Sequence, residues 1–201
     1  MKNCLIRCYH LYLVEVDRYS HGFLLYTQAT PHIDVKRLVT RERIDIVLRA
    51  LIAVFYPGPE RLDDVFAIVV HEPKKHVPVT LLFTPDCLSK EQVVEQKSMA
   101  IKYLEVLNRQ RCKVLPGIGY WEAIEMLRGW GFNPVILLEK GKPFTPSILR
   151  QKPVFVIGTN VDPPTTPYIE SYSLGRTSYL TTQVIAYINL LYLLNKSVWS
   201  R

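Results

Sequence analysis

Pro153-Val154-Phe155-Val156-Ile157-Gly158 is an apolar run that opens on proline and stops on glycine. Its length, its β-branched and aromatic content and its flanking breakers predict a short buried strand. Comparable apolar and β-branched runs occupy residues 64–70, 77–83 and 134–138. Strands covered on both faces of a parallel sheet read this way. Residues 168–174 form a weaker run, and residues 11–16 and 22–27 flank a polar turn as a strand pair. Lys140-Gly141-Lys142-Pro143 carries a turn signal that ends the 134–138 run.

Between these runs the period changes to that of a helix. Ile44, Val47, Leu48, Leu51, Ile52 and Phe55 recur at helical spacing, with Thr40 as N-cap and Pro57-Gly58-Pro59 as the stop. Ser89 with Gln92 has the form of a capping box opening a helix that reaches about Asn108. Residues 120–128 are helical by pattern and are stopped by Gly129 and Gly131, and a last helix starts at Ser178. Strands and helices alternate along the chain, so the expected class is α/β, with a mainly parallel sheet and helices on both faces. Ligands in such folds sit outside the carboxyl ends of the strands.

The chain has 201 residues, 48% of them hydrophobic, enough for one domain with a substantial core. Its 25 Lys and Arg against 18 Asp and Glu give a net charge of +7, which favours polyanionic partners without choosing among them. Cys4, Cys8, Cys87 and Cys112 have no zinc-ligand spacing and no need of a disulfide framework, so buried thiols, a reducing cytoplasmic setting and no metal are expected. Residues 179–194 are apolar but too short for a bilayer and carry Thr181, Thr182, Gln183 and Asn189. No membrane span and no export signal are expected. Neither GxGxxG nor GxxxxGK[ST] is present.

Two loops could carry chemistry. Gly158-Thr159-Asn160-Val161-Asp162 ends a strand, and its glycine either admits a ligand to the backbone or merely permits a turn. Ser173-Leu174-Gly175-Arg176-Thr177-Ser178 enters the last helix, where its amides and hydroxyls either bind polar atoms or only cap the helix.

With FLLYT at 23–27, RIDIVLRALIAVFY at 43–56, PGIGY at 116–120, PVFVIG at 153–158 and SLGRTSYLTTQVI at 173–185, the chain resembles the SPOUT superfamily of knotted methyltransferases. Within it the resemblance is to the archaeal tRNA pseudouridine N1-methyltransferases that act on the T-loop, with the rRNA-directed pseudouridine N1-methyltransferases as neighbours. The resemblance implies a single SPOUT-type domain over 1–201, with residues 1–21 as an N-terminal extension and residues 130–201 as a cofactor-binding part tied in a trefoil knot. It implies S-adenosylmethionine as cofactor and a homodimer formed partly by the last helix. Leu137, Gly158, Ser173, Leu174, Gly175, Arg176, Thr177, Ser178 and Val184 would surround the cofactor. Asp45, in Arg43-Ile44-Asp45, would position or deprotonate the uracil N1, and Lys36, Arg37, Arg41 and Arg43 would meet RNA phosphates. After Gly158 the family continues with Asp and a second glycine, where this chain has Thr159-Asn160. A cofactor-free knotted RNA-binding or assembly protein is the alternative of a different class.

Overall fold

A computed structural model describes residues 16–36, 43–58, 60–88, 95–108, 112–175 and 179–199. Seven strands form one sheet: β1 (His21–Thr27), β2 (Val65–His71), β3 (Val79–Phe83), β4 (Lys113–Pro116), β5 (Asn133–Pro143), β6 (Pro153–Gly158) and β7 (Ser171–Ser173). Their spatial order is β4-β3-β2-β1-β6-β5-β7. The pairings β2 with β1, β1 with β6, β6 with β5 and β5 with β7 are parallel, and β3 is antiparallel to both its neighbours. Four helices cover the sheet: α1 (Ile44–Phe55), α2 (Gln96–Leu107), α3 (Tyr120–Gly129) and α4 (Thr181–Trp199).

Strand alternation divides the core in two. Phe23, Leu25, Val65, Ala67, Phe155 and Ile157 face α1, α2 and α4. Leu24, Tyr26, Phe66, Ile68, Val154 and Val156 face α3. Because both sides of β1, β2 and β6 are covered, their sequences are continuously apolar rather than alternating. Helices thus lie on both faces, as the alternation of elements predicts.

Three sequence expectations need correction. The hairpin of residues 11–16 with 22–27 has no place, because both edges of β1 are taken by β2 and β6. Val16 lies in a 3-10 turn, and residues 11–15 fall outside the described residues. Residues 16–21 are part of the body rather than an extension: Tyr19 is buried with its ring 5.4 Å from Phe66, and the Ser20 amide donates to the Asp64 carbonyl. Lys140-Gly141-Lys142-Pro143 does not end β5, which continues through it to Pro143 with a register shift against β7. Gly141 serves a close approach instead, since a Cβ there would stand 2.4 Å from the Tyr172 backbone. Thr40, Ser89 and Gln92, the expected caps, lie outside the described residues, and α1 and α2 begin at Ile44 and Gln96.

A buried polar joint fixes α4 to the rest. Asn189 Nδ2 donates to the carbonyls of Ala53 (2.9 Å) and Val54 (3.1 Å) at the end of α1, while its Oδ1 lies 3.0 Å from His21 Nε2. Further along α4, the Tyr192 hydroxyl and Lys196 Nζ both donate to the Asp64 carboxylate. His21 is fully buried, and that burial pulls its pKa from 6.5 to about 4, although Asn189 opposes the shift. The folded chain therefore keeps His21 neutral where the unfolded chain takes up a proton.

The expectation of free thiols is corrected for two cysteines. Cys87 and Cys112 are paired as a disulfide, with Cα atoms 5.2 Å apart and a sequence separation of 25. Their closeness follows from the antiparallel β3/β4 ladder, whose Leu82 to Lys113 register brings the flanking residues together. Cys4 and Cys8 lie outside the described residues.

Two outcomes follow from these joints. Stability should fall as pH drops from 6.5 towards 4, by up to about 3 kcal/mol, and His21→Gln should flatten that dependence in urea melts at stepped pH. Reducing the Cys87 to Cys112 bridge should cost about 3 kcal/mol by the loop-entropy relation, read as a lowered denaturant midpoint with reductant and in Cys87→Ser.

Candidate functional site

The first half of β5 pairs in parallel with β6, Asn133 to Ile136 against Pro153 to Val156, which brings Leu137 of β5 close to Gly158, the carboxyl end of β6. β6 ends at Gly158, and the chain then turns through residues 159–162. The turn is tight: a Cβ on Gly158 would lie 2.0 Å from the Val161 carbonyl oxygen, so glycine is required there by the loop itself. The loop is tied down on both sides. Thr159 donates from its amide and its hydroxyl to the Tyr26 carbonyl, and Thr27 Oγ1 donates to Asn160 Oδ1 at 2.9 Å. Thr181 Oγ1, at the start of α4, donates to the Gly158 carbonyl at 2.8 Å.

A cavity of about 380 Å³ fills the crevice between this loop, β5, β7 and α4. Leu137, Gly158, Ser173, Leu174, Gly175 and Val184 all line it. Arg176, Thr177 and Ser178 lie outside the described residues. The structure thus gathers the described residues of the sequence-derived set, drawn from β5, the end of β6, β7 with its following loop, and α4, into one wall. Sequence reasoning missed Glu139, Asp162, Tyr172, Tyr179 and Thr181 on the same wall. Tyr172 is held by Glu170, whose carboxylate accepts from the Tyr172 hydroxyl and from Lys142 Nζ, each at 2.6 Å. Lys142, followed by Tyr172, holds the Glu170 carboxyl below its usual range.

A second cavity, about 470 Å³, lies on the other side of the same loop. It shares Gly158, Asp162, Tyr179 and Thr181 with the first, and Arg43, Arg49, Thr159 and Asn160 line its far side. Arg43 adopts a left-handed backbone with φ 58° immediately before α1. Asp45 lines neither cavity and is 3% exposed. Its Oδ1 accepts from Arg43 Nε at 3.1 Å, and its Oδ2 accepts from Arg49 Nη2 at 2.5 Å. Burial raises its pKa, but the hydrogen bonds and charges of Arg43 and Arg49 outweigh burial and leave the carboxyl below its usual range. Asp45 is thus held in its charged form with both oxygens engaged by guanidinium groups. It aims the two guanidinium groups at the second cavity. Arg49, one helical turn after Asp45, was readable from that i,i+4 spacing.

Lys36 is exposed, with its amide bonded to Asp34 Oδ1 at 2.9 Å, and it lines neither cavity. Arg37 and Arg41 lie outside the described residues. Among the described residues no group of three His, Cys, Asp or Glu could hold a metal, and no helix is long and apolar enough to cross a membrane.

No protein-family model matches the chain, and no curated protein matches it in sequence. Among solved structures it is similar to Nep1 of Archaeoglobus fulgidus, crystallised with S-adenosylhomocysteine bound. The TM-score is 0.57 at 14% identity, over 89% of this chain and 99% of that one. The fold is SPOUT-type. At that identity the likeness speaks for the backbone arrangement, and the side chains of the site have to be argued on their own.

Asp45→Asn should cost about 1–3 kcal/mol, since it leaves one buried hydrogen-bonded position with the wrong partner for two cations. The carboxylate's stabilisation is present above pH 4 and lost as pH falls below its ordinary 3.8. Denaturant melts of wild type and Asp45→Asn should therefore converge in strong acid and separate at neutral pH.

Proposed function

We propose that this chain is an S-adenosylmethionine-dependent RNA methyltransferase that places a methyl group on N1 of a pseudouridine in the tRNA T-loop. The observation that carries the reading is the first cavity, which assembles Leu137, Gly158, Ser173, Leu174, Gly175 and Val184 in one wall. Those are the described members of the set that the family resemblance names for the cofactor. The likeness to a fold crystallised with S-adenosylhomocysteine supports it.

The residues present fit such a cofactor. A volume of about 380 Å³ is in the range of small-molecule sites. Leu137, Ile157 and Val184 offer apolar contact to a purine and a methionine chain. Glu139 and Asp162 offer acceptors for ribose hydroxyls, and the 173–175 backbone offers polar groups for an amino-acid head. When bound, the cofactor supplies an electrophilic methyl on a positively charged sulfur, which leaves as a neutral thioether.

What remains for the protein is to place N1 and let its proton pass to solvent water as the N–C bond forms. The second cavity opens on the other side of the shared wall of Gly158, Asp162, Tyr179 and Thr181, and it is the place for the target nucleotide. Arg43 and Arg49, fixed by Asp45, would hold its flanking phosphate. Asn160, fixed by Thr27, stands where it can hydrogen-bond a base edge. The +7 charge supports a nucleic-acid substrate. A second copy of the chain is the proposed partner of α4, whose Leu180-side face leaves Tyr187, Leu190, Leu193 and Leu194 exposed. The C-terminal trefoil knot and the tRNA preference belong to this reading through the resemblance.

The test is calorimetric titration of the full chain with S-adenosylhomocysteine, followed by mass spectrometry of a pseudouridine-containing tRNA transcript incubated with S-adenosylmethionine. Micromolar binding, lost in Val184→Trp with the fold intact by circular dichroism, and one added methyl group on the transcript are expected. Absence of binding up to millimolar ligand would contradict the reading and leave a cofactor-free RNA-binding protein. Gly158 is unsuitable for the test, because any side chain there collides with the loop.

A further inference from the structure

We propose a second RNA-contact surface away from both cavities: the β2/β3 hairpin tip Lys74-Lys75-His76 together with Trp121. The inference rests on the RNA reading above and extends it to the half of the molecule remote from the cofactor crevice.

Strand register places this surface. Tyr26 is opposite Gly158, Thr27 opposite His71, His71 opposite Val79, and Val79 opposite Pro116. The ends of β6, β1, β2 and β4 therefore share one edge of the sheet, and the connection of residues 72–78 crosses that edge. The loop before α3 is clasped to the hairpin: the Gly117 amide donates to the Pro78 carbonyl, and Thr80 Oγ1 donates to the Ile118 carbonyl, both at 2.8 Å. The start of α3 is thereby fixed to the base of the hairpin at Glu72 and Pro78, and Trp121 follows in its first turn.

The fold leaves these side chains exposed, although the Trp121 ring meets the Tyr120 ring edge to face with centroids 4.7 Å apart. Residues 74–77 are exposed, and among the described residues Lys74 and Lys75 form no ion pair. Trp121 is 44% exposed and belongs to neither core cluster. Of the carboxylates here, Glu72 accepts from the Tyr120 amide at 3.3 Å, and Glu122 approaches Gly119. Two unpaired cations on the hairpin and an exposed indole on the helix fixed to its base are what a single-stranded nucleic acid takes, phosphates on the lysines and a base on the ring.

Residues 28–36 carry Lys36 and abut the end of β2, where His71 Nδ1 donates to the Ala29 carbonyl at 2.9 Å. Arg43 and Arg49 line the cavity beyond. Two strand spacings, about 10 Å, separate β6 from β2, and Lys74 stands past the end of β2, so the tip lies roughly 15 Å from Gly158, about four nucleotides along a stacked strand. The surface would hold RNA at that remove from the methylated base.

The experiment titrates a fluorescein-labelled, unmodified tRNA transcript with the full chain across a series of KCl concentrations. Lys74→Ser with Lys75→Ser should weaken binding about tenfold and reduce the slope of log affinity against log salt by about 1.5. Trp121→Ala should weaken binding at least about fivefold with the slope unchanged. Lys113→Ser with Lys152→Ser, which removes the same charge from the opposite edge of the sheet, should retain the wild-type slope. If the hairpin variant binds like that control, the proposed surface is overturned while the RNA reading stands. If wild type does not bind the transcript, both fail together. Unaltered S-adenosylhomocysteine binding by the hairpin variant keeps its fold and the first cavity out of the comparison.

Discussion

The parallel ladder between β1 and β6 is the interaction on which the rest of the molecule depends. It sets Tyr26 opposite Gly158, so β6 stops where the β1 backbone can still receive two hydrogen bonds from Thr159. That anchorage turns residues 159–162 away from the sheet and opens a cavity on each side of the loop. A parallel ladder buried on both faces can do this because its strands bring every carboxyl end to one edge. The α4 helix completes both cavities, and it is held by Asn189, which satisfies two carbonyls at the end of α1 and one ring nitrogen of His21. Position of the site and stability of the fold are therefore the same question at α4.

Electrostatics separates the two cavities. The first mixes Leu137 and Val184 with Glu139 and Lys140, and Asp162 is common to both. The second has two guanidinium groups organised by one buried carboxylate. Asp45 is not itself part of a cavity wall, yet it decides where two charges point. A carboxylate that prefers its charged form and has both oxygens engaged is suited to holding cations.

Much of this was legible in the residues. The β6 strand has the limits its sequence predicts, and α3 runs from Tyr120 as the pattern indicates. Apolar continuity marks strands covered on both faces, and PVFVIG has it without interruption. What failed were local signals overridden by tertiary neighbours. Lys140-Gly141-Lys142-Pro143 reads as a turn because glycine and proline break strands, but the glycine is there to let β7 approach. Residues 11–16 and 22–27 read as a hairpin because nothing local reveals that both edges of β1 are already paired. The disulfide was invisible because Cys87 and Cys112 meet only through the β3/β4 register. At the site, the glycine and serine loops were readable by resemblance. Glu139, Tyr172 and Tyr179 were not, since they reach the cavity only through the pairing of β5 with β7 and the approach of α4.

The central claim is that the crevice between the end of β6 and the middle of β5 is a cofactor site. Two-dimensional amide NMR spectra of the labelled chain, with and without S-adenosylhomocysteine, test it most directly. The account predicts shifts concentrated at Leu137, Gly158, Ser173, Gly175 and Val184, with the buried β2 amides unmoved. Saturating ligand that leaves those five unmoved, or that shifts residues on the α3 face instead, would contradict it.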